Sequence, residues 1–179
     1  MAFYILSQAY RKGILRSGEL IIEVTSGNTG ISFAGIGKAL GHPVMIFMPD
    51  WMSQERVNLL KSYGAQIKLV SKSEGGFLGS IQQAEEMAAS VPNAFLPRQF
   101  ANEDNVEAYA STTSPEIWWQ LRFQSKYPQA FVAGVGTGGT IRGVGRFLKK
   151  MNPGIKIHPL EPANSPTLST GHKIGQYRI

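Results

Sequence analysis

One stretch constrains the fold more than any other: Gly134-Val135-Gly136-Thr137-Gly138-Gly139-Thr140. It follows an apolar run, Ala130-Phe131-Val132-Ala133, which predicts a buried strand. Residues 141–151 follow with a helical pattern. A glycine-rich turn between a strand and a helix N-terminus directs several backbone N–H groups to one point. The helix dipole adds partial positive charge there, so the place suits a phosphate. Glycine has no Cβ to keep an anion away from the backbone. The hydroxyls of Thr137 and Thr140 can donate further hydrogen bonds. The plain alternative is a tight turn with no ligand. Four glycines within residues 134–139, set between strand and helix, favour the anion site.

The rest of the chain repeats the strand–helix alternation. Phe3, Leu6 and Tyr10 predict a helix over 2–12 that ends at Gly13. A strand over 20–24 leads into a second polar glycine-bearing loop, Thr25-Ser26-Gly27-Asn28-Thr29-Gly30. The helix expected over 31–40 is apolar on almost all sides and should be buried. Gly41-His42-Pro43 breaks it, and a strand over 44–48 closes at Pro49. Ser53 is placed to cap a helix reaching Tyr63, with Gly64 at its end. A strand over 66–70, a loop to residue 76, an amphipathic helix over 78–89 and a short strand over 94–96 come next. Residues 97–105 read as polar and irregular. Ser114-Pro115-Glu116 then reads as an N-cap, a first-turn proline and a first-turn acid. That helix carries Trp118 and Trp119, which point in different directions, so at least one is expected to be core or a contact between lobes. Residues 156–160 form the last expected strand, with loop beyond. The pattern predicts an α/β chain with mostly parallel sheets, ligands sitting at the strands' carboxyl ends. Both polar loops lie there. Two such loops around one crevice would hold the two ends of one ligand, or a cofactor and a substrate together.

Composition narrows the function. The 179 residues contain no cysteine, which excludes disulfides and thiolate metal sites within the chain. No apolar run is long enough to span a membrane, and no secretory signal pattern is present, which points to a cytoplasmic protein. The net charge of +6 comes from scattered lysines and arginines, unlike the clustered patch of a nucleic-acid binder. His42, His158 and His172 do not have the spacing of a metal site, and packed or solvated histidines are the simpler reading. Asp50, Glu55, Glu116 and Glu161 read as cap, surface and strand-end residues. Residues 134–139 do satisfy G-x-G-x-x-G, with Glu161 about twenty residues on, where a dinucleotide fold places its ribose-binding acid. An NAD-dependent oxidoreductase is therefore a rival reading, although it leaves residues 25–30 without a role. A standalone phosphate-binding module is a third.

Taken together, the motifs resemble one family. Glu23-Val24-Thr25-Ser26-Gly27-Asn28-Thr29-Gly30 is similar to the asparagine loop of cysteine synthases (O-acetylserine sulfhydrylases). These are fold-type II pyridoxal-phosphate enzymes, with cystathionine β-synthase as a close relative. Residues 134–140 resemble the family's phosphate loop, Gln99-Phe100-Ala101-Asn102 its Q-F-x-N loop, and Thr112-Thr113-Ser114-Pro115-Glu116-Ile117-Trp118 its T-T-G-P-E-I-W segment. Glu161-Pro162, Ser165-Pro166 and His172-Lys173-Ile174 resemble the segment leading toward the family's C-terminal part.

The resemblance implies a three-layer, tryptophan synthase β-like fold in two lobes, incomplete here. Residues 1–42 and 106–179 would belong to the larger lobe and 43–105 to a smaller, mobile one. It implies pyridoxal 5'-phosphate as cofactor, with Asn28 on the ring's phenolate oxygen. Gly136, Thr137, Gly138, Gly139 and Thr140 would hold the 5'-phosphate. Thr25, Ser26, Gly27, Thr29 and Gln99 would hold the substrate carboxylate. The implied reaction is elimination from an activated serine, then addition of sulfide, giving L-cysteine; a cystathionine β-synthase-like or sulfide-releasing lyase is the nearest alternative. A homodimer and the C-terminal tail of serine acetyltransferase are the implied partners.

The departures from the family pattern carry their own expectation. The Schiff-base lysine of an S-x-K-x-R motif is expected just before Met1, and Lys12, Lys38 and Lys61 stand in other contexts. The serine or threonine facing the pyridine nitrogen is expected beyond Ile179. Tyr109 and Ser114 replace a histidine and a glycine found in many members. The 179 residues alone are therefore expected to be a central piece of a longer enzyme, without turnover of their own.

Overall fold

The computed structural model describes residues 1–25 and 27–171. They form two compact units, one comprising Ala2–Gln99 and the other Met1 with the chain from Phe100 onward.

In the first unit, helix α1 (Ala2–Arg11) precedes strand β1 (Ile21–Val24), helix α2 (Asn28–Ala39), strand β2 (Val44–Pro49), helix α3 (Gln54–Ser62), strand β3 (Gln66–Val70) and helix α4 (Gly76–Ser90). The sheet runs β1-β2-β3, all parallel, with Ile21 opposite Val44 and Met45 opposite Gln66. Alternation along β1 and β2 sends residues to both faces. Ile22, Val24 and Phe47 join Val70 and Ala84 in a cluster with Phe77 and Ile81 of α4. Ile21, Ile46 and Met48 are also fully buried. Helix α2 contacts β1 and β2, and its Phe33 is fully buried. Burying a side chain of that size is worth about 1.5–3 kcal/mol. The close approach of α2 depends on Gly37, where an added Cβ would stand 2.4 Å from a Val44 methyl. This helix is one-sided rather than buried all round, with Ser32, Lys38 and Ala39 exposed.

Three local expectations shift here. α2 starts at Asn28, so the asparagine belongs to the helix's first turn rather than to a loop before it. Ser53 occupies the N-cap position of α3, but its side chain makes no capping bond. Residues 94–96 do not form a full strand; Phe95 makes a single parallel bridge to Ile21.

The second unit opens with helix α5 (Glu103–Ala108), one π-helical turn (Tyr109–Thr113), helix α6 (Ser114–Phe123), strand β4 (Ala130–Gly134), helix α7 (Gly139–Met151), strand β5 (Lys156–Leu160) and a short helix α8 (Thr167–Thr170). The helix starts inside the stretch read as irregular, because the Asn102 side chain accepts the Asp104 N–H at 2.9 Å. α6 begins at Ser114-Pro115 with Glu116 in its first turn, but Ser114 is not an N-cap, because the chain is already helical where it arrives. Thr113 and Ser114 both have helical dihedrals, and the Ser114 N–H reaches back five residues to the Tyr109 carbonyl. The wider π turn lets a proline sit inside a continuing helix, where it would otherwise crowd the preceding turn. α7 packs Val144 and Leu148 against Trp118 and Ile155. Trp118 is 6% exposed and Trp119 63%. β4 pairs in parallel with β5, Ala130 opposite Lys156. β4 was expected to be buried, yet its residues are exposed or half-buried among the described residues, because β5 is its only paired strand.

Candidate functional site

In the second unit, β4 ends at Gly134 and α7 begins at Gly139. The Val135 N–H bonds the Leu160 carbonyl at 2.9 Å, which ties the loop to the end of β5. Gly138 has φ +81°, a left-handed conformation that brings the chain into the helix without the cost a side chain would add. Thr137 Oγ1 accepts twice, from the Asn105 side-chain amide at 2.8 Å and from the Gly139 N–H at 3.3 Å. With both acceptor positions used, its own proton is left to donate. A Cβ on Gly139 would lie 2.3 Å from Asn105 Oδ1, so the glycine is what lets the buried Asn105 reach Thr137. The N–H groups of Gly136, Thr137, Gly138 and Thr140 take no backbone partner among the described residues. Space above Gly134 and Gly136 is open, and the first turn of α7 holds no acid. Bare N–H donors, a directed hydroxyl and a thirteen-residue helix dipole fit a phosphate dianion.

In the first unit, β1 leads directly into Thr25. Its N–H bonds the Phe47 carbonyl at 3.1 Å, and its buried hydroxyl accepts the Gly27 N–H at 3.1 Å. Gly27 is the N-cap of α2 and supplies no side chain, so the first N–H groups of the helix are left for a ligand. The Asn28 side chain stands exposed on the first turn, and Thr29 is half-buried beside it. Ser26 lies outside the described residues, as do His172, Lys173 and Ile174. Gln99 is far along the chain yet buried against the end of β1, its amide nitrogen donating to the Val24 carbonyl at 2.7 Å. Thus Thr25, Gly27, Asn28, Thr29 and Gln99 gather at one strand end within the first unit. Gly136, Thr137, Gly138, Gly139 and Thr140 form one loop within the second.

Two residues were missed by the sequence reading. Asn105 supports Thr137 from across the helix start, and nothing in its local context marks it. Glu23 sits on β1, 1% exposed. Burial pushes its carboxyl up to about 8, opposed by hydrogen bonds from the backbone N–H groups of Val24 and Gln99. An acid inside the apolar run Leu20-Ile21-Ile22-Glu23-Val24 is the signal that could have found it.

The remaining candidates have other employment. His42 is buried; its Nδ1 donates to the Glu19 carbonyl at 2.8 Å and its Nε2 accepts from the Tyr10 hydroxyl at 2.5 Å. His158 is exposed on β5. No cluster of three metal-binding side chains occurs among the described residues. Glu161 accepts the N–H groups of Leu168 and Ser169 and the Ser169 hydroxyl. These bonds, the Ser169 hydroxyl first, hold its carboxyl below the usual range.

Parallel sheets with helix-borne anion sites at strand ends define an α/β protein built to take a phosphorylated ligand. The chain belongs to the family of pyridoxal-phosphate dependent enzymes, whose model matches residues 1–179. It is 45% identical over 178 residues to a probable cysteine synthase of Bacillus subtilis, covering 99% of this chain and 57% of that protein. A cysteine synthase of Staphylococcus aureus is 46% identical over 171 residues, covering 96% and 54%. Among solved structures, a hydrogen sulfide-producing enzyme from Fusobacterium nucleatum superposes with a TM-score of 0.96 at 52% identity, over 100% of this chain and 54% of that one. A cysteine synthase from Entamoeba histolytica gives 0.88 at 37% identity, over 98% and 51%. The fold is that of fold-type II pyridoxal-phosphate enzymes, and the cofactor is pyridoxal phosphate. The chain spans about half the length of the relatives it matches.

Proposed function

We propose that the full-length protein is a cysteine synthase-type transferase that makes L-cysteine from O-acetyl-L-serine and sulfide. The observation that carries this reading is the meeting of Gln99 with the Thr25 end of β1, at the open N-terminus of α2. That place offers N–H and hydroxyl donors to an amino acid's carboxylate and no competing acid in the first helical turn. The cysteine synthases at 45–46% identity support the same substrate class.

In this proposal Gly136, Thr137, Gly138, Gly139 and Thr140 bind the cofactor's phosphate through backbone N–H groups and hydroxyls. Asn28 donates its side-chain amide to the ring's phenolate oxygen. Thr25, Ser26, Gly27, Thr29 and Gln99 orient the substrate carboxylate, with Gln99 held at the strand end by its bond to the Val24 carbonyl. Pyridoxal phosphate, when bound, supplies the electron sink that lets acetate leave Cβ and hydrosulfide add there. Residues 1–179 alone lack a lysine in the S-x-K-x-R context and do not turn over. A cytoplasmic homodimer that accepts the serine acetyltransferase tail belongs to the same reading.

A second reading is a sulfide-releasing lyase acting on L-cysteine, favoured by the 52% identical hydrogen sulfide-producing enzyme. The NAD-dependent alternative loses its ribose-binding acid, because the Glu161 carboxyl is occupied by Leu168 and Ser169. The test is to supply the full-length protein with O-acetyl-L-serine and sulfide, and separately with L-cysteine alone. Cysteine with equimolar acetate supports the first reading, and sulfide from cysteine the second. Neither product, at full cofactor loading, refutes both.

A further inference from the structure

The edge of β1 shows where main-chain pairing stops. The Ile22 N–H bonds the Phe95 carbonyl at 2.9 Å, and the Phe95 N–H bonds the Leu20 carbonyl at 2.8 Å. Two residues on, the next donor in this parallel ladder would be Pro97, which has no N–H. Side chains take over from that point. The Val24 N–H turns to Glu23 Oε1 at 2.8 Å, and the Val24 carbonyl receives the Gln99 side-chain amide at 2.7 Å. The Gln99 backbone N–H is a second donor near the Glu23 carboxyl. The two segments therefore clasp each other reciprocally: the Glu23 carboxyl holds Gln99, and the Gln99 side chain holds Val24.

We propose that Glu23 is a positioning residue for the amino-acid site, its carboxyl fixing Gln99 against the strand end that carries Thr25. This rests on the reading of residues 25–30 and Gln99 as the carboxylate site. Glu23 touches no substrate in this account; it acts through Gln99 and Val24. Its burial keeps the acid neutral near pH 7, so no negative charge stands two residues from a loop that receives a carboxylate. Oε1 accepts the Val24 N–H, and Oε2 makes no hydrogen bond among the described residues. A glutamine keeps the acceptor and the neutrality; an alanine keeps neither the acceptor nor the clasp.

The experiment compares the full-length, cofactor-loaded protein with its Glu23→Gln and Glu23→Ala variants. Three quantities are read: calorimetric affinity for L-serine as the probe amino acid, affinity for pyridoxal phosphate, and amide hydrogen exchange at Val24 and Gln99. Glu23→Ala is expected to weaken L-serine binding about tenfold, the scale of one buried hydrogen bond. It should also speed exchange at both amides and leave pyridoxal phosphate affinity within about twofold. Glu23→Gln is expected to keep both affinities within about threefold of the parent, with exchange at the two amides no faster than in the parent. Where Glu23→Ala does not fold, Glu23→Asp, one methylene shorter, is expected to show the same loss. Parent-like serine binding and exchange in the alanine variant overturn the proposal, as does a glutamine variant as impaired as alanine. If the parent itself does not bind L-serine, the functional reading fails, while the exchange data still decide whether Glu23 holds Gln99.

Discussion

Replacing Glu23 with glutamine should make the protein more stable at neutral pH and remove part of its pH dependence. In an unfolded chain the carboxyl titrates near 4.5, and in the fold at about 8. Below pH 4.5 both states hold the proton and the residue adds no slope. Between 4.5 and 8 the unfolded chain ionises while the folded chain keeps its proton, so the folded state binds more protons and stability falls as pH rises. Above 8 both are ionised and the penalty is constant. At 1.36 kcal/mol per pH unit, the two and a half units from 4.5 to 7 cost about 3 kcal/mol, and the whole passage about 5. Glutamine does not titrate, so Glu23→Gln should gain roughly 3 kcal/mol over the parent at pH 7, less any loss in amide geometry. Urea denaturation of both proteins at pH 5, 6, 7 and 8, at equal cofactor loading, gives the difference directly, and all other titrating groups cancel in it. A difference that stays constant across this range, or one that shrinks as pH rises, refutes the reasoning.

Gly139→Ala should weaken pyridoxal phosphate binding at least tenfold and destabilise by about 1–3 kcal/mol, because its Cβ would stand 2.3 Å from Asn105 Oδ1. A fluorescence titration with the cofactor checks the first effect and thermal unfolding the second. Gly37→Ala should cost a similar 1–3 kcal/mol with unchanged cofactor affinity, since the clash is with Val44 under α2; a melt no different from the parent's contradicts the packing account. Tyr10→Phe leaves His42 Nε2 without its donor and should lose about 1–2 kcal/mol, read from the same melts.

Legibility in the sequence followed the range of the interaction. The glycine loop and its flanking strand and helix are set by neighbours in the chain, so residues 134–140 could be placed correctly on the junction of β4 and α7. The Thr25–Gly30 motif was legible for the same reason. Ser114-Pro115 misled because the local rule for a first-turn proline is sound, but a π turn upstream opened room for it inside a longer helix. The apolar run at β4 was read as buried because apolar residues favour burial, yet exposure depends on how many strands flank it.

By itself the sequence determined the α/β alternation, the two donor-rich loops and the family they signal, because periodicity and glycine spacing act over a few residues. Tertiary structure alone decided that Glu23 is sealed from water with its carboxyl pushed up to about 8, that Gln99 lies 75 residues along the chain yet against Val24, and that Asn105 braces Thr137. Proton affinity and side-chain partnership are set by what surrounds a group in space, and those surroundings come from segments far away in the chain.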